Sequence, residues 1–130
     1  MKALIRSLLA VALLAIAAPA ATAQAKIPKG TFELVPDANF AAGFDVTGIL
    51  VEFTDSTMTA TQAGNLVVKS KLVVSGEFVM LTDLDGQAMC PGEAKYQFKA
   101  TEKGFRMIPV EDPCAERAAI IGAITLVKKA

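Results

Sequence analysis

Short segments that alternate between apolar and polar residues, with turn residues between them, constrain the fold of this chain most strongly. In residues 93–100, Ala94, Tyr96 and Phe98 fall on one face, while lysine and glutamine side chains fall on the other. A period of two is typical of a β-strand with one buried face. The pattern therefore predicts a strand at 93–100. Similar patterns predict strands at 31–35, 48–53, 57–62, 66–74, 77–82, 105–110 and 119–127.

The connections between these segments carry residues that favour tight turns. Glycine supplies the positive φ that many hairpin turns require, and Asp, Asn and Ser bond to nearby backbone in turns. Short strands with such connections leave little room for the crossover helices that parallel strands need. We therefore predict an all-β fold, an eight-stranded antiparallel up-and-down barrel, because closure removes exposed strand edges. The predicted turns are Asp55-Ser56, Ala63-Gly64-Asn65, Ser75-Gly76, Asp85-Gly86 and Lys103-Gly104.

Two segments depart from this pattern. Residues 36–46 are too long for a hairpin turn and contain Phe40 and Phe44, so they predict either a short helix or a loop across one end of the barrel. In residues 112–117, an Asp at a candidate N-cap position is followed by Pro, which predicts one helical turn before the last strand.

Residues 1–23 have the pattern of a secretory signal peptide. Two basic residues precede an apolar run at 8–18, and a small-x-small cleavage site ends at Ala23. The run is shorter than the ~20 residues that a membrane-spanning helix needs, so no membrane span is expected in the mature protein. We predict an exported protein, periplasmic or secreted, that begins at Gln24, with cleavage after Ala25 as the alternative. Residues 24–130 then form a single barrel domain.

Charge and residue types argue against several function classes. The 13 Lys and Arg residues balance the 13 Asp and Glu residues, so the chain lacks the basic surface expected of a nucleic-acid-binding protein. There is no His, the usual proton shuttle and the commonest metal ligand, and no Gly-x-Ser-x-Gly motif. The acidic segment 82–87 is predicted to be a polar turn rather than a calcium loop. We therefore predict no enzymatic activity, and no metal, cofactor or nucleic-acid binding.

The two cysteines, Cys90 and Cys114, bracket the predicted hairpin formed by residues 93–100 and 105–110. The two ends of an antiparallel hairpin lie together, within reach of a disulfide. Export also favours the oxidised form. We predict a structural Cys90–Cys114 disulfide rather than a redox pair, since the cysteines do not form a Cys-x-x-Cys motif.

The barrel interior is the candidate binding site. The inward faces of the clearest predicted strands contain no charged residue, so a ligand is expected to be small and largely apolar. Whether the interior is filled by side chains or holds a cavity stays open, because eight strands allow both. Tyr96 would need a hydrogen-bond partner inside, either in the protein or on a ligand. The residues predicted to line an apolar cavity are Phe53, Met58, Phe78, Met80, Tyr96, Phe98, Phe105 and Met107.

The segment Gly30-Thr31-Phe32 resembles the Gly-x-Trp sequence that opens the first strand of lipocalins, with Phe in place of Trp. The resemblance implies that Phe32 packs near the closed end of the barrel against an arginine beside the last strand, which Arg117 would supply. Residues 90–98 and 112–117 are similar to small exported bacterial proteins with a lipocalin-like barrel.

Two functions follow from this interpretation. The first is a non-catalytic carrier that binds a small apolar ligand inside the barrel. The alternative is an interaction module of the cell envelope, or a protease inhibitor that acts through its loops and the N-terminal arm 24–29, with a filled core. The resemblance leaves the alternative open, because small exported barrels with one disulfide include protease inhibitors.

Overall fold

The computed structural model describes residues 26–40 and 43–130. The predicted signal peptide and its predicted cleavage site therefore lie outside the described residues. Within residues 26–40 and 43–130 there are eight strands and one helix, and the order of strands around the sheet is their order along the chain. The elements are β1 (Gly30–Pro36), β2 (Ile49–Phe53), β3 (Thr57–Gln62), β4 (Asn65–Ser75), β5 (Phe78–Asp85), β6 (Glu93–Ala100), β7 (Gly104–Glu111), α1 (Ala115–Ile121) and β8 (Ile124–Lys128).

The strands close into an antiparallel barrel, which confirms the predicted fold class. Each strand pairs with the next, and β1 pairs with β8 from Phe32 opposite Lys128 to Pro36 opposite Ile124. The two ends of the barrel differ. The turns after β2, β4 and β6 lie at what we call the phenylalanine end. The connections after β1, β3, β5 and β7, with α1 among them, lie at what we call the helix end.

Aromatic side chains fill the phenylalanine end. The rings of Phe32, Phe53 and Phe105 pack edge to face in all three pairings, with centroids 5.1–5.5 Å apart, and Phe98 stacks on Phe105 at 5.0 Å. Edge-to-face packing at this spacing suits the charge distribution of aromatic rings. This cluster closes one end of the barrel with packed side chains.

The seam between β7 and β8 is short. Only Gly104 opposite Val127 and Phe105 opposite Leu126 pair in this register. Farther along β7, Pro109 has no N–H to donate, and its ring lies against Gly122 at the end of α1. Beyond this point α1 takes the place of strand pairing, which puts the helix beside the opening of the barrel.

The inward face of β5 differs from the predicted one. Val79, Leu81 and Asp83 point inward and are buried, whereas Phe78 and Met80 lie on the outer face. The prediction was wrong because Phe, Val, Met and Leu occur in succession, so the alternation has no polar side to mark the outer face. Outside the barrel, the ammonium of Lys95 lies 4.1 Å from the centroid of the Phe78 ring, a cation–π contact that shields the ring from water.

The connection between β7 and β8 also differs from the predicted one. The helix spans two turns, Ala115–Ile121, and β8 begins at Ile124, whereas the sequence predicted one turn at 112–117 and a strand at 119–127. A run of alanine and isoleucine suits either a helix or a buried strand, so its pattern does not decide between them. The N-cap residue is Cys114 rather than Asp112.

The remaining connections are loops and turns. Residues 37–48 form a loop without a helix in their described part, and Phe40 and Phe44 pack against the core from it. Residues 82–85 belong to β5, so the predicted polar turn begins later, at Gly86. Within the described residues, no helix has the length and apolar composition needed to cross a membrane.

Candidate functional site

A cavity of about 540 Å³ occupies the helix end of the barrel, above the phenylalanine cluster. Strand residues form its sides, and the loop after β5, the loop after β1 and helix α1 surround its opening. Most of the lining is apolar. The apolar strand and helix residues that line it are Leu34, Ile49, Val51, Met58, Ala60, Val67, Val68, Met107, Ile120, Ile121, Ile124 and Leu126. The polar and charged ones are Gln62, Asp83, Gln87, Glu116 and Arg117.

Two of the residues predicted to line a cavity, Met58 and Met107, do so. Phe53, Phe98 and Phe105 instead form the packed cluster that closes the phenylalanine end. Both alternatives for the interior are therefore partly realised: one end is filled and the other is hollow. The other predicted residues do not line the cavity: Tyr96 is buried in the wall, and Phe78 and Met80 face outward.

Arg117 on α1 joins the elements around the opening. Its side chain is buried, and each of its five N–H groups has an acceptor. Nε and Nη2 donate to the two carboxylate oxygens of Asp112, at 2.9 and 2.7 Å. Nη1 donates to Asp83 at 3.1 Å and to the carbonyl of Cys90 at 3.0 Å, and Nη2 also donates to the carbonyl of Gly92 at 3.1 Å. The paired, two-point contact with Asp112 is the strongest geometry available to a guanidinium.

Asp83 places a charge inside the barrel, which corrects the expectation that the inward faces carry none. Its carboxylate accepts bonds from the Ser70 hydroxyl at 2.7 Å and from the Cys90 amide at 2.9 Å, in addition to Arg117. Ser70 and Asp83 are direct cross-strand partners on β4 and β5. The alternation of Val79, Leu81 and Asp83 was the sequence signal for this position.

Asp112 receives a second set of donors from the hairpin and the helix start. Tyr96 donates its hydroxyl to one carboxylate oxygen, and the Cys114 amide donates to the other at 2.8 Å. The partner that the Tyr96 phenol requires is thus in the protein and not on a ligand. Burial of Asp112 acts to raise its carboxyl pKa, but hydrogen bonds from Arg117, Tyr96 and Cys114 outweigh it and hold the pKa below its usual value.

Tyr96 supplies a clean spectroscopic test of this network, since it is the chain's single tyrosine. Burial first, and then its bond to the Asp112 carboxylate, raise the phenol pKa well above the ordinary value of 10.0. The raised phenol pKa stabilises the folded protein fully at pH values below the pKa of an unfolded tyrosine. This stabilisation is lost as the pH rises from there through the pKa of the folded phenol. We expect no phenolate absorbance in the folded protein near pH 10, and its sudden appearance when the barrel unfolds. A gradual titration with an ordinary midpoint while circular dichroism stays native would contradict this.

The disulfide is confirmed. Cys90 and Cys114 are bonded, with Cα atoms 6.3 Å apart. The bond ties the loop after β5 to the start of α1, next to the two carbonyls that Arg117 binds. Covalent and ionic contacts therefore hold the same pair of segments at the edge of the cavity.

The expected contact between Arg117 and Phe32 is wrong. Phe32 belongs to the cluster at the phenylalanine end, whereas Arg117 bonds to Asp83 and Asp112 at the helix end. The reason is topological: the connection after β7 lies at the opposite end from the beginning of β1. The cationic residue of the last strand that is paired with Phe32 is Lys128.

Gly86 lets the loop after β5 fold over the cavity. Its φ is +116°, and a Cβ there would lie 2.4 Å from the Val67 carbonyl oxygen, which accepts a bond from the Ala88 amide. We expect Gly86→Ala to lower the free energy of unfolding by about 1–3 kcal/mol, because the loop must move away from β4. Urea unfolding measures this. Gly43→Ala is the control, since it meets no described atom within 4 Å, and equal effects for the two variants would refute the explanation.

The possible metal ligands and the buried charged groups bear on what this site can do chemically. Across residues 26–40 and 43–130, no three His, Cys, Asp or Glu side chains converge as a metal site would require. The buried charged groups, Asp83, Asp112 and Arg117, are bonded to one another and to backbone. What remains accessible is an apolar cavity with a polar edge.

No protein-family model, curated protein or solved structure matches this chain. The class is therefore defined by the fold alone: an eight-stranded antiparallel up-and-down barrel, consistent with a lipocalin-like architecture, with one end filled and a cavity at the other.

Proposed function

We propose that this protein is an exported, non-catalytic carrier that binds one small apolar molecule in the cavity at the helix end. The cavity carries the proposal: its volume of about 540 Å³ lies within the ~300–1,000 Å³ typical of small-molecule sites. Binding would remove apolar ligand surface from water, a gain of roughly 25 cal/mol per Å² before the costs of association.

The walls favour an apolar body on the ligand. The lining residues next to the phenylalanine cluster are all apolar. They are Val51, Met58, Met107 and Leu126, the cross-strand partners of Phe32, Phe53, Phe98 and Phe105. An ionised group placed among them would lose its hydration without gaining a partner. Methionine side chains are flexible and polarisable, so they can adapt to ligands of different shape.

The disulfide supports export. Disulfides persist in oxidising compartments, such as the bacterial periplasm and the extracellular space, and are rare in the cytosol. The Cys90–Cys114 bond and the signal-peptide pattern of residues 1–23 independently favour a periplasmic or secreted location.

The cavity and the position of the N-terminal arm both argue against the alternative, an interaction module with a filled core. Ile27 packs against the core, and the Lys29 ammonium lies 3.1 Å from the Asp55 carboxylate. The described part of the N-terminal arm therefore lies against the phenylalanine end, rather than projecting from the barrel.

A binding screen with a cavity-filling variant tests the proposal. The mature protein is titrated with alcohols, isoprenoids, aromatic compounds and sugars, and its melting temperature is recorded. A ligand at 100 times its Kd should stabilise the protein by about 2.7 kcal/mol. Ala60→Leu places a larger side chain in the cavity and should weaken binding at least about tenfold, or about 1.4 kcal/mol.

Ala100→Leu is the matched control, because it makes the same change at an exposed position of the phenylalanine end. It should bind as the native protein does. Stabilisation by apolar compounds that Ala60→Leu removes and Ala100→Leu retains supports the carrier. A response to sugars alone, or to no compound, contradicts the carrier function and favours the interaction module.

A further inference from the structure

We infer that the ligand of this cavity carries its polar group at the opening, and that this group is an uncharged or cationic hydrogen-bond donor rather than a carboxylate. The inference rests on the proposed carrier function. It names the chemical class of the ligand as long-chain alcohols, amides or amines, and it excludes fatty acids.

The arginine at the opening is not free to bind an anion. A carrier of carboxylates would be expected to offer a guanidinium with unused N–H groups. All five N–H groups of Arg117 are bonded to Asp83, Asp112 and two backbone carbonyls. A ligand carboxylate could gain a bond from Arg117 only by displacing a buried acceptor, which would then be left unpaired.

Gln62 presents a hydrogen-bond acceptor to the cavity, because its two donor N–H groups are used elsewhere. Its amide nitrogen donates to the carbonyls of Asp45 at 3.1 Å and Thr47 at 2.8 Å, which uses both N–H groups. Two carbonyl partners fix the orientation of the amide, because an amide oxygen cannot bond to them. In the described part of the chain Gln62 Oε1 accepts no hydrogen bond, and this residue lines the cavity.

Glu116 supplies a second acceptor at the opening. It lies on the first turn of α1, is exposed, and lines the cavity one residue from the fully bonded Arg117. Gln87 is the remaining polar lining side chain, and its amide can donate or accept. Two of the three accessible polar side chains at the opening therefore present acceptors, and one of these is anionic.

Carboxylates are in excess among the exposed charges around the helix end, where Lys69, the cross-strand partner of Asp85, is an exposed cation. Exposed carboxylates lie on the loops and strand ends that surround the opening, while lysines concentrate at the phenylalanine end. A ligand carboxylate at the opening would meet like charge, and an ammonium would meet opposite charge. The exposed acidic residues of the helix end are Asp45, Asp85, Glu93, Glu111 and Glu116. The exposed lysines of the phenylalanine end are Lys26, Lys29, Lys99, Lys103, Lys128 and Lys129.

A series of probes with one chain and three head groups tests the inference. Decanol, decylamine and decanoate are each titrated against a complex of the mature protein with an apolar fluorescent dye, at neutral pH and below their micelle concentrations. Displacement of the dye reports the affinity of each probe. We expect decanol and decylamine to bind, and decanoate to bind at least about tenfold more weakly than decanol, equivalent to about 1.4 kcal/mol.

Glu116→Gln should reduce the difference in affinity between decylamine and decanoate several-fold. Glu102→Gln is the matched control, because it makes the same charge change at an exposed position of the phenylalanine end, and it should leave the difference intact. Equal binding of all three probes, tightest binding of decanoate, or an identical effect of the two variants would overturn the inference while leaving the carrier function standing. Binding of none of the three contradicts the carrier function itself.

Discussion

Arg117→Ala is expected to lower the free energy of unfolding by about 3–5 kcal/mol, because it leaves two buried carboxylates without their cation. Asp83 and Asp112 would keep their hydrogen bonds from Ser70, Tyr96 and backbone amides but lose the compensating charge. Two backbone carbonyls would also lose their donors. A small domain typically has only about 5–15 kcal/mol of stability, so the variant should unfold at far lower urea concentration.

Two further variants separate this network from a general effect of charge. Arg117→Lys keeps the charge but cannot make five directed bonds, so it should recover only part of the loss. Arg106→Ala removes a half-exposed arginine that bonds to Asp37 and the Gly122 carbonyl, and it should cost much less. Similar losses for Arg117→Ala and Arg106→Ala would show that the buried network is not a main source of stability.

Replacing both Cys90 and Cys114 by alanine is expected to lower the free energy of unfolding by about 3–4 kcal/mol, because the open chain gains conformational entropy when it unfolds. The bond spans 24 residues and joins the loop after β5 to the start of α1. Far-ultraviolet circular dichroism should stay that of the barrel, because eight paired strands remain.

The native protein under reducing conditions is the matched comparison for this variant. Urea unfolding of the reduced protein should resemble that of the double alanine variant, and the oxidised protein should unfold at higher urea. Identical unfolding of oxidised and reduced protein would contradict a stabilising disulfide.

The barrel could be predicted from the sequence because its strongest signals are local. The alternation in β6 and the glycine turns between strands each report on a few neighbouring residues. The disulfide followed from the same information, since a hairpin brings its two ends together. Where the local pattern was ambiguous, prediction failed: both faces of the first half of β5 are apolar, and the alanine-rich segment of α1 suits two structures.

The site could be predicted only in part because it depends on contacts between distant residues. Arg117 and Asp83 are 34 positions apart, and nothing near either one indicates the other. The cavity depends on where large side chains converge: four phenylalanines from β1, β2, β6 and β7 meet at one end and leave the other unfilled. Met58 and Met107 were predicted because they lie on clearly alternating strands with known inward faces.

The methionine methyl groups allow the most direct test of the central claim, that a small apolar ligand occupies the helix end of the barrel. Met58 and Met107 line the cavity, Met89 lies at its exposed edge, and Met80 faces outward as an internal control. Methyl-labelled mature protein is titrated with decanol and followed by NMR. We expect saturable shifts of the Met58 and Met107 signals with the Met80 signal unchanged. Unmoved Met58 and Met107 signals, or equal shifts of all four, would contradict a ligand site in this cavity.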